Sequence, residues 1–268
     1  MRSTQDRYIV LMYHGLDSAQ HPSELTKKGD LIYVVDIEQF RRQMAYLADQ
    51  QIHVVTLKDK GQFCSRGPSS VDYEYLPLII TFDDGHITNY TNALPILKEF
   101  GFSAYFFITT DWIGQPYYMT EAMIKELNDA GMIIGSHGKT HKFLSDLTKE
   151  EINNELTISK ARLETIIQSE VTDLSAPGGR IDARVTKLAF AAGYSRLFHS
   201  EPIVNNMSDH MQPIGRFAIK RNTTFDEFKR IIKGKLFTLA FARNYALKAA
   251  KLLVGNRNYE RIRDQILR

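Results

Sequence analysis

Two short polar motifs carry the side chains that could do chemistry in this 268-residue chain. The first, Asp83-Asp84-Gly85, directly follows an apolar run at residues 78–82. The second is the segment 136–141, Ser-His-Gly-Lys-Thr-His, in which His137 and His141 lie four residues apart. Either motif alone is common in turns or on surfaces. Together they supply two imidazoles and a carboxylate, a ligand set typical of hydrolytic zinc and of non-haem iron.

This ligand set predicts a metal-dependent hydrolase. We expect His137, His141 and one of the two aspartates to bind a divalent metal, and the other aspartate to be the catalytic base. A bound metal lowers the pKa of water toward about 7, and a free carboxylate nearby can take the proton as the water attacks a carbonyl. Zinc, cobalt, nickel, iron and manganese all accept two histidines and an aspartate, so these residues leave the metal open.

Both motifs follow strand-like runs within an alternating pattern of strands and helices. The predicted strands cover residues 8–13, 52–57, 78–82, 104–108, 132–134, 171–174, 194–198 and 214–219. The predicted helices cover residues 37–50, 91–100, 120–130, 149–168 and 183–192. This order predicts an α/β fold, an irregular (β/α) barrel of seven or eight parallel strands, with functional side chains at the carboxyl ends of the strands.

Residues at the helix ends support this assignment. The expected N-caps have side-chain oxygens that accept from the first turn of a helix, and the expected stops are glycines just before a strand. The N-caps are Asp36, Thr120, Thr148 and Asp182, and the stops are Gly101, Gly131 and Gly193.

The chain resembles the polysaccharide deacetylases, the NodB-homology group of carbohydrate esterases (family 4), from about residue 8 to about residue 232. Residues 81–85, Thr-Phe-Asp-Asp-Gly, look like the family's first motif. This resemblance implies that Asp83 is the base and that Asp84 binds the metal. Residues 136–141 look like the second motif, whose histidines complete the metal site. The resemblance implies a hydrolase that removes N-acetyl groups from a sugar in a polysaccharide or glycan precursor, with zinc as the expected metal.

A third motif departs from the family pattern. Residues 176–180, Ala-Pro-Gly-Gly-Arg, are similar to the segment that lines the family's groove, which implies substrate binding by Pro177, Gly178 and Arg180. The family's usual arginine two residues before the proline, which orients the base, is Ser175 here. The sequence leaves open whether Arg180 supplies the missing guanidinium.

The general acid that protonates the leaving amine is also open, because the family's last motif has no clear copy. His14 and His199 are the two candidates, since each follows a predicted strand at the end where a barrel has its active site. Five aromatic residues could offer faces for sugar stacking, although aromatic residues in such runs more often belong to the core: Tyr13, Phe106, Phe107, Trp112 and Tyr118.

Composition limits the other functions. The 34 basic residues are nearly balanced by 31 acidic ones, which gives no sign of nucleic-acid binding. Cys64 is the only cysteine, so an internal disulfide is excluded. Without a signal-like or membrane-spanning apolar segment, a cytoplasmic location is expected. Two alternatives stay open: a weakened homologue that binds carbohydrate, suggested by Ser175, and a hydrolase of a non-sugar C–N amide bond.

The pattern changes near the end of the chain. Residues 1–234 are predicted to form the deacetylase barrel and residues 235–268 a helical extension. Apolar and basic residues mix over 235–254, so this stretch could lie on an anionic membrane surface, or it could pack against the barrel or a second subunit. The oligomeric state is open.

Overall fold

The computed structural model describes residues 7–18, 31–58, 75–209 and 212–235. Apart from residue 235, the predicted C-terminal extension and its membrane-contact segment lie outside the described residues, as does Cys64. Within the described ranges no helix has both the length and the apolar character needed to cross a bilayer.

Strands and helices alternate along the described chain. The strands are β1 (Arg7–Tyr13), β2 (Leu16–Asp17), β3 (Val35–Asp36), β4 (Leu78–Phe82), β5 (Tyr105–Ile108), β6 (Ile133–Ser136), β7 (Asp173–Ser175), β8 (Arg196–Phe198), β9 (Asn205–Asn206) and β10 (Phe217–Ala218). The helices are α1 (Ile37–Asp49), α2 (Leu94–Glu99), α3 (Glu121–Asp129), α4 (Lys149–Ile167), α5 (Ala183–Ala191) and α6 (Phe225–Ile232).

One curled sheet of parallel strands forms the centre of the fold. Its strand order is β10-β1-β4-β5-β6-β7-β8, and β9 adds an antiparallel pairing to the start of β1. Ile214 forms a parallel bridge with Phe198 of β8, while β10, a few residues later, pairs with β1. The segment 214–218 therefore links the two edges of the sheet, which confirms the predicted irregular (β/α) barrel.

Apolar side chains pack on both faces of this sheet, so strand residues alternate between two layers. In β1, Ile9 and Leu11 belong to the outer layer, which lies between the sheet and the helices. Tyr8 and Val10 belong to a smaller inner layer, made by strand residues and the 55–57 segment. The strands are thus buried on both faces, and their carboxyl ends are left to carry polar side chains.

The helix ends agree with the predicted capping. Each predicted N-cap side chain accepts a hydrogen bond from a main-chain N–H of the first turn, and Thr148 forms a full capping box with Glu151. The three predicted glycine stops follow α2, α3 and α5 with positive φ.

Two element predictions were wrong. Residues 52–57 form no strand but only one bridge, from Val54 to Leu78 at the start of β4, and β5 pairs with β4 only from Thr81 onward. The predicted helix 91–100 begins instead with a π-helical turn at Asn89–Ala93 and becomes α-helical only at Leu94. Pro95 has no N–H to donate to the preceding turn, so a regular α-helix through this point is disfavoured.

Candidate active site and metal centre

The polar motifs meet where the parallel strands end. Asp83 and Asp84 follow β4, His137 follows β6, His14 follows β1, and Ser175 is the last residue of β7. Main-chain bonds tie these ends together: the Asp83 N–H donates to the Tyr13 carbonyl at 3.0 Å, and the His137 N–H donates to the Ile108 carbonyl at 2.8 Å. The structure therefore brings together residues that are far apart in sequence.

Asp84, His137 and His141 form a compact triad. Oδ1 of Asp84 lies 3.4 Å from Nε2 of His137 and 3.3 Å from Nε2 of His141. Zinc ligands about 2.0–2.2 Å from the ion, at a tetrahedral angle, are also separated by about 3.4 Å. The spacing of the three atoms fits a divalent metal, and this grouping could hold one.

Two further observations fit a metal at the triad. Oδ1 of Asp84 is buried and has no hydrogen-bond partner among the described residues, a cost that a bound cation would remove. The Nδ1 atom of His137 donates to the Ser175 carbonyl at 2.8 Å, an orientation in which Nε2 is the nitrogen left to face a metal. Burial alone would raise the pKa of Asp84, but its close contacts with the two histidines hold it well below its usual range, in the ionised form that a ligand needs.

The backbone is strained at two of the three predicted ligands. Asp84 has φ 78° and His141 has φ 62°, both in the left-handed region that non-glycine residues rarely adopt. The left-handed turn at Asp84 redirects the chain, so that adjacent carboxylates of the Asp-Asp pair both reach the site. Such strain persists only where surrounding contacts enforce it, and it concentrates at functional sites.

Asp83 lies beside the triad and is held by an arginine. Its Oδ2 is 4.0 Å from Nε2 of His137. Nη1 and Nη2 of Arg216 donate to its two carboxylate oxygens, each at 2.7 Å, and the Ser175 hydroxyl donates to Oδ2 at 3.2 Å. Asp83 and Arg216 are only 3% and 1% exposed, so this is a buried, bidentate ion pair.

Every N–H of the Arg216 guanidinium has an acceptor. Besides Asp83, it donates to the hydroxyls of Thr81 and Ser175 and to the carbonyl of His199. Its guanidinium carbon lies 5.5 Å from the centre of the Phe107 ring, in the inner layer of the barrel. Burial alone would raise the pKa of Asp83, but the Arg216 charge lowers it below its usual value, so the carboxylate is ionised and able to accept a proton.

The missing motif arginine is thus replaced in space by Arg216 and not by Arg180. Ser175 fills the family's arginine position and accepts from Nη2 of Arg216 at 2.8 Å. The sequence motifs do not include Arg216, although its position could have indicated it. Arg216 lies in the predicted strand 214–219, two residues after the inward-facing Ile214, and therefore on the same face of the strand. An arginine on the inner face of a strand requires a buried partner.

The third motif packs against the metal-binding segment. Residues 177–179 form a 3-10 turn with Pro177 buried, and a Cβ added to Gly178 would lie 2.4 Å from the Phe143 ring. The Arg180 guanidinium lies 3.8 Å over the same ring and 3.6 Å from the Asp146 carboxylate. These contacts join the third motif to the segment after His141; substrate binding by Pro177, Gly178 and Arg180 stays a prediction.

The two candidate acids have different surroundings. His14 lies near the triad, its ring is 4.7 Å from that of Tyr33, and its buried Nδ1 has no hydrogen-bond partner among the described residues. Burial lowers the pKa of His14, while the charges of Asp84 and Asp83 oppose this shift. The lowered pKa favours the neutral ring, so a role for His14 as the acid stays a prediction.

His199 has both ring nitrogens in backbone hydrogen bonds. Nδ1 accepts from the Glu201 N–H at 3.1 Å, and Nε2 is 3.2 Å from the Pro213 carbonyl, to which it donates in this tautomer. The ring lines a cavity of about 360 Å³, whose other walls include Tyr8, Gly179, Glu201 and Pro213. A catalytic role for His199 would require it to release a main-chain acceptor, so it stays a prediction without support from these contacts.

Two aromatic side chains, Trp112 and Tyr118, lie beside the metal triad. The Trp112 ring lies 4.7 Å from the His141 ring and 4.8 Å from the Tyr118 ring. Trp112 is partly exposed and follows β5 at the carboxyl edge of the sheet. Its position is suitable for contact with a sugar bound at the triad.

Comparisons with known proteins agree with these motifs. The polysaccharide deacetylase family model matches residues 75–197. The Bacillus subtilis polysaccharide deacetylase homologue YxkH is 27% identical over 224 residues, which cover 84% of this chain and 75% of YxkH. The poly-beta-1,6-N-acetyl-D-glucosamine N-deacetylase of Staphylococcus aureus is 32% identical over 181 residues, but the match covers only 63% of this chain and 58% of that enzyme.

A crystal structure of a polysaccharide deacetylase from Bacillus cereus has the same fold. It superposes with a TM-score of 0.70 at 25% identity, over 84% of this chain and 69% of that one. His14 and Arg216 lie outside the matched range 75–197, so their assignments rest on the geometry of this chain. The fold, the paired motifs and these matches agree: over residues 75–197 the chain matches the polysaccharide deacetylase family, the NodB-homology group of amidohydrolases acting on non-peptide carbon–nitrogen bonds.

Proposed function

We propose that this protein is a metal-dependent hydrolase that removes N-acetyl groups from a sugar of a polysaccharide or glycan precursor and releases acetate, with zinc as the resident metal. One observation carries the proposal: an ionised carboxylate, Asp83, is fixed by Arg216 within 4.0 Å of Nε2 of His137, a predicted metal ligand. A base at this position can act on a water molecule held at the triad.

The chain's own residues divide the reaction between them. A divalent metal bound by Asp84, His137 and His141 would polarise the acetyl carbonyl and acidify water. Asp83 accepts the proton of the attacking water, and its bidentate pair with Arg216 keeps the accepting oxygen in place. His14, in its protonated form, then donates a proton to the nitrogen as the amide carbon–nitrogen bond breaks, so that acetate is released and the free amine stays on the sugar.

The alternative of a weakened, carbohydrate-binding homologue depended on Ser175. Arg216 binds both oxygens of Asp83 and also the Ser175 hydroxyl. The base is therefore held in place even though a serine occupies the family's arginine position. Hydrolysis of a non-sugar amide is tested by including non-sugar acetamides among the substrates. No described residue distinguishes chitin-like oligomers, peptidoglycan, an exopolysaccharide or a lipid- or nucleotide-linked sugar.

Acetate release from these N-acetylated substrates, and from simple non-sugar acetamides, tests the proposal. For the zinc-loaded wild type we expect release that a chelator abolishes. Asp83→Asn should keep the metal and lose about 10²- to 10⁴-fold in kcat, the usual contribution of a general base. His137→Ala should lose the metal, whereas Asp49→Asn, on the surface of α1, should match the wild type. Zinc binding without release from any substrate would favour the carbohydrate-binding alternative.

The same assay separates the two candidate acids. His14→Gln should lower kcat by about 10²-fold or more without loss of zinc, since it removes the proton donor. His199→Gln should have a smaller effect on kcat, because both ring nitrogens of His199 serve the backbone. A large loss in His199→Gln alone would reverse this assignment.

A further inference from the structure

We propose that Glu155, on α4, is a positioning residue that holds the histidine-bearing segment in its metal-binding shape; this inference rests on the proposed metal-dependent function. Glu155 lies outside both motifs and is 6% exposed. A carboxylate is rarely buried without a specific set of donors.

The donors come from the segment between the two predicted ligands. Oε2 of Glu155 accepts the main-chain N–H groups of Lys139 and Thr140, both at 2.8 Å, and Oε1 accepts the Thr140 hydroxyl. Oε2 also lies 3.2 Å from the position of a Cβ added to Gly138. One carboxylate therefore binds Lys139 and Thr140, two of the three residues between His137 and His141, and leaves little room for a side chain at the third, Gly138.

The next turn of α4 holds the start of the same segment. Ser159 donates to the Glu155 carbonyl at 2.6 Å, and the Ser136 hydroxyl lies 2.9 Å from the Ser159 hydroxyl. The Gly138 N–H in turn donates to Ser136 at 3.1 Å. Two residues one turn apart on α4 thus hold the segment along its length.

On the opposite side, the segment contacts the turn after β5. The N–H groups of Thr110 and Asp111 donate to the carbonyls of Gly138 and Lys139, at 3.2 and 2.9 Å. These bonds fix the carbonyls, while Glu155 fixes the N–H groups. His141 needs this support because its φ of 62° is unfavourable for a residue with a side chain.

The role follows from these contacts. Without the carboxylate, two main-chain N–H groups lose their acceptor, and the left-handed turn that aims Nε2 of His141 at Asp84 loses its restraint. The expected result is weaker metal binding in a protein that still folds, since residues that orient metal ligands typically contribute about 10- to 100-fold to affinity.

The test is metal affinity, read by the only tryptophan of the chain. Because the Trp112 ring is 4.7 Å from that of His141, Co²⁺ bound at the triad should quench its fluorescence, and Zn²⁺ should compete. Glu155→Ala should raise the apparent Kd for both ions about 10- to 100-fold. Glu155→Gln should stay close to the wild type, because its amide oxygen can accept both N–H groups and its NH₂ can donate to the Thr140 hydroxyl.

Two controls make the result decisive. Glu150→Ala, an exposed glutamate of the same helix, should leave the Kd unchanged. If Glu155→Ala fails to fold, Thr140→Val, which removes one of the three hydrogen bonds, should still weaken binding severalfold. A wild-type Kd in folded Glu155→Ala, or in Thr140→Val when the alanine variant does not fold, would overturn the inference. Failure of the wild type to bind Co²⁺ or Zn²⁺ would instead overturn the proposed function.

Discussion

At the scale of single residues, Asp83 must be buried, ionised and fixed at once. Burial raises the pKa of a carboxyl group, and a neutral Asp83 could not accept a proton. The Arg216 charge reverses this effect, and its planar guanidinium fixes both carboxylate oxygens. A lysine would supply the charge but not the paired hydrogen bonds.

Arg216→Lys should therefore reduce kcat by about 10- to 100-fold, because the base loses its orientation while its counter-charge remains. The Zn²⁺ affinity should change little, since the triad is untouched. Acetate-release kinetics and cobalt titration measure the two effects. Arg221→Lys, in an exposed ion pair, is the matched control. A larger loss of kcat in Arg180→Lys than in Arg216→Lys would instead assign the orienting role to Arg180.

The Arg216 pair also shows where sequence analysis reached its limit. The Asp-Asp-Gly and histidine motifs are local, so residue spacing together with the family resemblance predicted the triad and its place at the strand ends. The partner of Asp83 lies 133 residues away, on the short segment that closes the barrel. Only the three-dimensional closure of the sheet brings it to the base, and no local pattern encodes that pairing.

At the scale of elements, the site depends on short turns packed between the strand ends. Helix caps and glycine stops were predictable because they follow from the local chemistry of one helix end. The irregular segments were not, since pairing with neighbouring strands or one proline decided them, as at residues 52–57 and Pro95. The turn of the third motif is also irregular, since Gly178 and Gly179 both have positive φ.

Gly179→Ala should destabilise the protein more than Gly131→Ala does. Both glycines have positive φ, 67° and 82°, so alanine costs roughly 1–2 kcal/mol of backbone strain at either position. At Gly179 the new Cβ would also lie 2.0 Å from the Ser200 hydroxyl oxygen and 2.5 Å from its main-chain nitrogen. At Gly131 nothing lies within 4 Å.

Urea unfolding of both variants measures the difference. The added clash should make the Gly179→Ala loss larger by about 1–3 kcal/mol, the usual cost of overpacking. Equal losses would mean that Ser200 moves away freely and that the turn is less constrained than these contacts indicate.

At the scale of the whole molecule, the metal triad joins parts of the barrel that local bonds do not. Asp84 follows β4, whereas His137 and His141 follow β6, with β5 between these strands in the sheet. A ligand that binds only the folded chain stabilises it by mass action, by about 2.7 kcal/mol at 100 times its Kd. The free energy of unfolding should therefore depend on the metal.

Thermal unfolding should show this dependence directly. For a chain of this size, about 2.7 kcal/mol corresponds to a rise in Tm of roughly 5–10 °C on saturation with Zn²⁺. A chelator should reverse the rise. Asp84→Asn should show no rise, because its amide lacks the negative charge that the cation needs, and Asp49→Asn should behave as the wild type. An equal rise in Asp84→Asn would mean that zinc stabilises the protein from another place, and the triad would then lose its assignment as the metal centre.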